Sequence, residues 1–415
     1  MRLSTKLLCG VMLAAMMAPG AAFAGSPSGP VGPTRSELDN ANAHIEDLTA
    51  RVDALEAELQ AAEQRSAADH DAVAGIGAAT SGWWSNTSIS GRMYWDLSYV
   101  ENKVNGVRTG TANGVAFDIK RFYIGIDHKF DDVFSANITT DFTYDSGSGV
   151  NQIYIKKAYL QAKVSDALVF KVGSTDMPWI PFMEDLYGFR FVENTLVDRL
   201  KDGNSADWGV HVGGKLYDGL VNYAVSVVNG AGYKKAGIFR TNGPDVEGRV
   251  NLNFDNFVVG VGGYIGKFGQ QYGAPLHHSF SRFDAVGAYV TKEFRVGVEY
   301  FDGNNVSSVT SAANTDHEQG VGGFASYNVT SDVSLFGRYD WTTKRVNTPA
   351  VGPSMPNNYY NIGINWEPIK IVDFSLVYKH EDERGNYATS NIAAGATPAT
   401  KTRYDEVGIF GQVRW

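Results

Sequence analysis

From Trp83 onward the sequence alternates apolar and polar side chains with a period of two, over run after run. That period belongs to β-strands with one apolar and one wet face. Phe122, Ile124 and Ile126 lie opposite Arg121, Tyr123, Gly125 and Asp127. Val333, Leu335, Gly337, Tyr339 and Trp341 oppose Ser334, Phe336, Arg338 and Asp340. Tyr360, Ile362, Ile364 and Trp366 oppose Asn361, Gly363, Asn365 and Glu367, and Val407, Ile409, Val413 and Trp415 oppose Glu406, Gln412 and Arg414.

The connections narrow the choice further. Seven are tight and polar: Asp131-Asp132, Ser165-Asp166, Tyr217-Asp218-Gly219, Asp255-Asn256, Lys292-Glu293, Ser331-Asp332 and Glu367 to Asp373. Eight are longer and rich in Gly, Asn, Ser, Thr and Pro, near 101–114, 146–150, 176–206, 229–244, 269–280, 302–317, 343–357 and 382–402. The two kinds alternate, so fifteen connections join about sixteen strands. A soluble β-sandwich would also alternate. It would not place Arg, Lys, Asp and Glu in mid-strand on the wet face, end its apolar faces in aromatics, and segregate short turns from long loops. That asymmetry belongs to outer-membrane barrels, and only a closed sheet satisfies every backbone group in lipid. The expected fold is therefore all-β: a transmembrane barrel of about 16 antiparallel strands over residues 83–415, in the outer membrane of a Gram-negative cell. The terminal Trp415, closing an apolar strand face, resembles an outer-membrane assembly signal and implies the barrel assembly machinery as a partner.

The first 82 residues follow other rules. Arg2 and Lys6, an apolar run from Leu7 to Ala18 and Ala22-Phe23-Ala24 read as a signal peptide over 1–24; the run is shorter than the roughly 20 residues a membrane helix needs. Its removal takes away Cys9, the only cysteine, and with it any disulfide. A Gly/Pro linker over 25–34 precedes a helical stretch at 35–65. There Leu38, Ile45, Val52 and Leu59 recur every seven residues, with Ala41, Leu48, Leu55 and Ala62 offset by three. This pattern fits a periplasmic, self-associating coiled coil, or a single amphipathic helix lying on the barrel; 66–82 reads as a second linker. The formal net charge of −9 gathers in this arm, where residues 25–82 hold 3 basic and 10 acidic side chains. It says little about what the barrel binds, and nothing suggests a nucleic-acid partner.

A barrel this wide leaves an aqueous channel. The alternation puts Arg92, Arg121, Lys163, Lys171, Arg249, Arg295, Arg338, Lys379 and Arg414 on the wet face, with Asp96, Asp127, Glu299, Asp340, Glu367 and Glu406. Nine cations against six anions is a modest positive bias. Such a face is either a self-neutralising wall or a basic track that guides anions. The segment 176–206 is too apolar for a surface loop, with Pro178, Trp179, Phe182, Tyr187, Phe189 and Phe191. The expectation is that it folds into the barrel and narrows it, placing Glu184, Asp185, Arg190, Glu193, Arg199 and Lys201 at a constriction; a packing plug or a subunit contact is the other reading. His277-His278 and His317-Glu318 fall in expected external loops. No catalytic motif, metal site or cofactor is expected.

Along residues 118–232, Lys120 to Gly125, Lys157-Ala158-Tyr159-Leu160, Val172-Gly173, Pro181 to Glu184, Asp207 to Val210, and Val228 to Tyr233 follow one another in an order that resembles the phosphate-selective porin family. The resemblance implies a sixteen-stranded homotrimer with an in-folded third loop and a basic lumen. The chain departs from that family in a loop with more acidic than basic side chains and in lacking a ladder of paired arginines. The function expected is an outer-membrane porin passing small hydrophilic solutes, with anions such as phosphate favoured. The alternative is a structural anchor tethering the envelope through its coiled coil.

Overall fold

The computed structural model describes residues 50–51, 83–109, 113–145, 149–235, 243–270, 275–348, 353–385 and 400–415. The chain divides into two compact units, Met1–Thr80 and Ser81–Trp415. In the first, only Ala50 and Arg51 are described, and both are helical. The expected signal peptide, linkers and the rest of the heptad segment lie outside the described residues.

The second unit is one closed antiparallel sheet. Its strands are β1 (Thr87–Val104), β2 (Val107–Arg108), β3 (Gly114–Lys129), β4 (Phe134–Asp145), β5 (Val150–Ser165), β6 (Leu168–Asp176), β7 (Ala206–Leu216), β8 (Val221–Val228), β9 (Asp245–Phe254), β10 (Phe257–Gly266), β11 (Phe280–Val290), β12 (Phe294–Asn304), β13 (Thr315–Asn328), β14 (Val333–Asn347), β15 (Ser354–Ile369), β16 (Val372–Arg384) and β17 (Lys401–Arg414). β2 is a two-residue extension of the first long connection; the other sixteen form the wall. Each pairs with its neighbours in sequence, and β1 closes the ring on β17 from Arg92↔Arg414 to Val104↔Thr402. Closure removes the free edges of the sheet, although the β3–β4 ladder runs only from Ile124↔Thr140 to Lys129↔Ser135.

The alternation fixes which side faces out. Leu97, Phe117, Leu160, Val172, Val210, Leu335, Ile362 and Val407 are all exposed on the outer surface. Aromatics crowd both edges of this apolar band: Phe130, Phe254, Phe257 and Tyr327 near the short turns, and Tyr99, Phe283, Tyr339 and Trp341 near the long connections. A water-soluble barrel would not leave this much apolar surface bare; a lipid-embedded one must. Several strands run further into the long connections than composition suggests. β14 reaches Asn347 and β15 starts at Ser354, because hairpin pairing continues beyond the apolar band even where the side chains are polar. His317 and Glu318, expected in a loop, sit in β13 for the same reason, with His317 Nε2 2.9 Å from Asp302.

Candidate functional site

The connection 177–205 between β6 and β7 lies inside the barrel. Local sequence makes it a compact insert. Helix α1 (Ile180–Tyr187) has proline in its first turn, where a missing N–H does no harm. It stops at Gly188, whose φ of 80° favours a residue without Cβ and whose N–H donates to Glu184 O. A second short helix, α2 (Leu196–Arg199), follows. The apolar side chains of the segment are nearly all buried, including Trp179, Ile180, Met183, Phe191, Leu196 and Val197. They pack on inward-facing Phe301, Phe324, Phe336 and Phe410, and Phe189 stacks on Phe336 with ring centroids 4.0 Å apart. Each such burial contributes about 1.5–3 kcal/mol.

Polar contacts fix where the insert sits. Trp179 donates its backbone N–H to Glu247 and its indole N–H to Glu299, both at 2.8 Å. Its ring lies across the bare backbone of Gly262, where a Cβ would come within 2.6 Å of the indole. Arg199 reaches Glu381 at 2.5 Å, Asp340 at 3.0 Å and Asn357 at 3.2 Å, with Tyr359 stacked 4.5 Å from the guanidinium. Burial opposes the Arg199 charge, but Glu381 and Asp340 outweigh it and hold its pKa above the ordinary value. Arg338 grips Asp340 with two hydrogen bonds and donates to the Asn194 carbonyl. Lys379 lies 3.5 Å from Glu193 and 3.0 Å from Glu406, while Arg282 donates to Asp202 O at 2.6 Å and Arg295 to Leu186 O at 2.8 Å. Buried charges are tolerated when paired this completely.

This arrangement revises the expected constriction. Arg199 is fully buried and Glu193 nearly so; both fasten the insert to the β14–β16 wall rather than face open space. Arg190 is held within the insert by Glu184 at 2.7 Å and Asp198 at 3.2 Å. Lys201 is exposed in a left-handed turn. Asp185 faces the open space, and burial together with Glu184 and Asp176 raises its pKa. The physical reason is that the apolar side chains carry the segment against the wall, and its charges then need partners there.

The nine basic residues on the wet faces divide in the same way. Arg295, Arg338 and Lys379 hold the insert. Arg121 pairs with Asp141 at 3.0 Å, Arg414 with Asp373 at 2.9 Å and Lys163 with Asp166 at 2.7 Å. Arg92 donates to Tyr94 OH. Lys171 lies over Tyr159 and Arg249 over Phe182. The expected excess of cations does not extend to the whole interior, since inward-facing Glu247, Asp284, Glu381 and Glu383 were missing from the reckoning.

Strict alternation also missed cations that bulges deliver. In β3 the pairing to β1 skips Lys120, and in β5 the pairing to β4 skips Lys156. A bulge lets consecutive residues share a face. Lys120 reaches Asp96 at 3.1 Å beside Arg121, and Lys156 reaches Tyr123 OH at 3.2 Å beside Lys157, which pairs with Asp176 at 2.5 Å. The signal in the sequence is a doublet of cations in mid-strand, since an unbulged strand would send one of the two into lipid.

The insert leans on the β9–β17 side. Between it and the β5–β10 wall a space of about 950 Å³ stays open. Lys163, Lys171, Lys215 and Arg249 line it together with Asp166, Asp176, Asp185 and Asp255, so its formal charges balance. His211 also faces it, 2.7 Å from Ser226 Oγ. Among the described residues no group of His, Cys, Asp and Glu is arranged to hold a metal ion.

No protein-family profile matches the chain, and no curated protein does. Solved structures do. An anion-selective porin from Comamonas acidovorans is similar with a TM-score of 0.56 at 9% identity, over 79% of this chain and 99% of that one. OmpT of Vibrio cholerae, an outer membrane protein solved as a loop L8 deletion mutant, gives 0.54 at 15% identity over 79% and 99%. The in-vitro folded trimer form of OmpT gives 0.52 at 13% identity, again over 79% and 99%. At these identities the likeness establishes the fold, an outer-membrane β-barrel.

Proposed function

We propose that this chain is an outer-membrane porin, a water-filled channel for passive diffusion of small hydrophilic solutes. The observation that carries this reading is the one-sided docking of the insert. It narrows the barrel, yet leaves about 950 Å³ open against a wall lined with ionisable groups. Weak anion preference, extending to small anions such as phosphate, belongs to the β3–β6 wall. There Arg121, Lys156, Lys157 and Lys171 face inward and outnumber Asp127, Asp141 and Asp176. Rings of basic side chains are how pores favour anions. The balanced charge of the open space keeps that preference small. The assembly is a homotrimer in outer-membrane lipid, a reading supported by the trimer form of one similar barrel and by the heptads at 38–62.

Planar-bilayer recording tests this. The purified protein gives discrete conductance steps, and the reversal potential in a salt gradient has the sign of weak anion selectivity. Lys156→Gln with Lys171→Gln moves that potential toward cations. Strong cation selectivity in the unaltered protein refutes the wall's role, and the absence of steps leaves the anchor reading in its place.

A further inference from the structure

On the outer surface, above the apolar band, β16, β17, β1 and β2 carry a block of charge that the channel does not use. The pairing register arranges it in rows, because directly paired residues share a face. Val407 pairs with Tyr378 and Tyr99 at the upper edge of the band. The next row is Tyr360, His380, Asp405 and Glu101. Above it come Asp382, Arg403, Lys103 and Arg108, and above those Arg384 and Lys401. Acids lie low and cations high.

The upper rows set like charges directly opposite one another. Arg403 faces Lys103, Lys103 faces Arg108, and Arg384 faces Lys401. Such pairs destabilise a sheet unless something neutralises them. Asp405 partly serves Arg403 at 2.7 Å and Glu101 serves Lys103, while among the described residues Arg108 has only Tyr99. Neither Arg384 nor Lys401 has an ion-pair partner among the described residues, and the 386–399 stretch between them contains no Asp or Glu. Five cations thus meet three carboxylates, at heights of about 13 to 20 Å along the strand from Val407 to Arg403 and Lys401.

We infer that this patch binds the phosphate of a lipid headgroup in the leaflet around the long-loop end. The site faces outward rather than into the lumen. An acyl chain would lie on Tyr378, Val407 and Tyr99, with its headgroup phosphate beside Arg384, Lys401 and Arg108. The inference rests on the reading of the chain as an outer-membrane barrel.

The test is native mass spectrometry of the full-length protein in detergent, titrated with bis-phosphorylated lipid A, with the same lipid dephosphorylated, and with inorganic phosphate. The phosphorylated lipid is expected to stay bound at least tenfold more than the dephosphorylated one. R384S/K401S should remove that difference while R384K/K401R keeps it, and single-channel conductance should be unchanged in both. Equal retention of the two lipids overturns the inference, as does displacement of the phosphorylated lipid by millimolar inorganic phosphate. Loss of the oligomer in R384S/K401S also overturns it, by making the patch a contact between copies. Lipid capture without conductance would sink the porin reading and leave the patch standing.

Discussion

Arg199 of the inner segment and Glu381 of β16 meet at 2.5 Å across 182 positions of sequence, and neither side chain reaches solvent. This contact fastens the insert to the β14–β16 side of the barrel. Replacing Arg199 with Ala takes the guanidinium away from buried Glu381, which keeps Asn357, while Asp340 stays paired with Arg338; breaking a buried pair costs about 3–5 kcal/mol. Arg199→Ala should lower the melting temperature and release the insert, giving larger and noisier single-channel currents. Unchanged conductance would mean that the apolar contacts alone hold the segment.

Gly262 offers a steric test of the same docking. A Cβ there meets the Trp179 ring at 2.6 Å, closer than packing allows. Gly262→Ala is expected to cost about 1–3 kcal/mol by overpacking, and to widen the channel without touching any charge. Thermal unfolding and conductance measured on one preparation check both effects; conductance at the wild-type level would show that the wall yields instead.

Asp185 makes the passage sensitive to pH. Burial, Glu184 and Asp176 raise its pKa above the ordinary aspartate value. A raised carboxyl contributes stability that is fully present at low pH and is lost as pH rises through the folded-state value. Protonation also removes one negative charge from a balanced lining. Acidifying through the carboxylate range should therefore shift the reversal potential toward anions. Asp185→Asn should show much of that shift already at neutral pH and respond less to acid. An identical pH response in the variant would assign the effect to other carboxylates.

Deleting residues 35–65 tests the heptads. The trimer should lose heat resistance on unheated gels while single-channel conductance persists. A trimer that dissociates at the same temperature without the segment would show that those heptads do not join the subunits.

The strands themselves were legible because each side chain's destination depends on only two neighbours. Arg338 and Tyr339 can be assigned to opposite sides from the run around them, and Arg338 is buried inside while Tyr339 is half exposed outside. Parity fails where a bulge intervenes. Lys120 and Lys156 share a face with the next residue, and only the register of the adjoining strand reveals it. The inward phenylalanines were a different kind of miss. Phe301, Phe324, Phe336 and Phe410 sit on the wet face and look anomalous until the insert arrives to cover them.

The roles of Glu193 and Arg199 could not be read locally at all. Glu193, Arg190 and Arg199 stand close together in an apolar stretch, which says that they enter the barrel but not what they meet. Arg190 pairs within the segment with Glu184 and Asp198, but Lys379, Glu381 and Asp340, the partners of Glu193 and Arg199, lie more than a hundred positions away. Alternation, turn spacing and the limits of lipid solvation determined a closed sheet with an apolar outside, because those are nearest-neighbour and solvent effects. Which ionisable groups fasten the insert and which line open water was decided by tertiary packing, because burying a charge is tolerable only where a distant strand supplies its counterion.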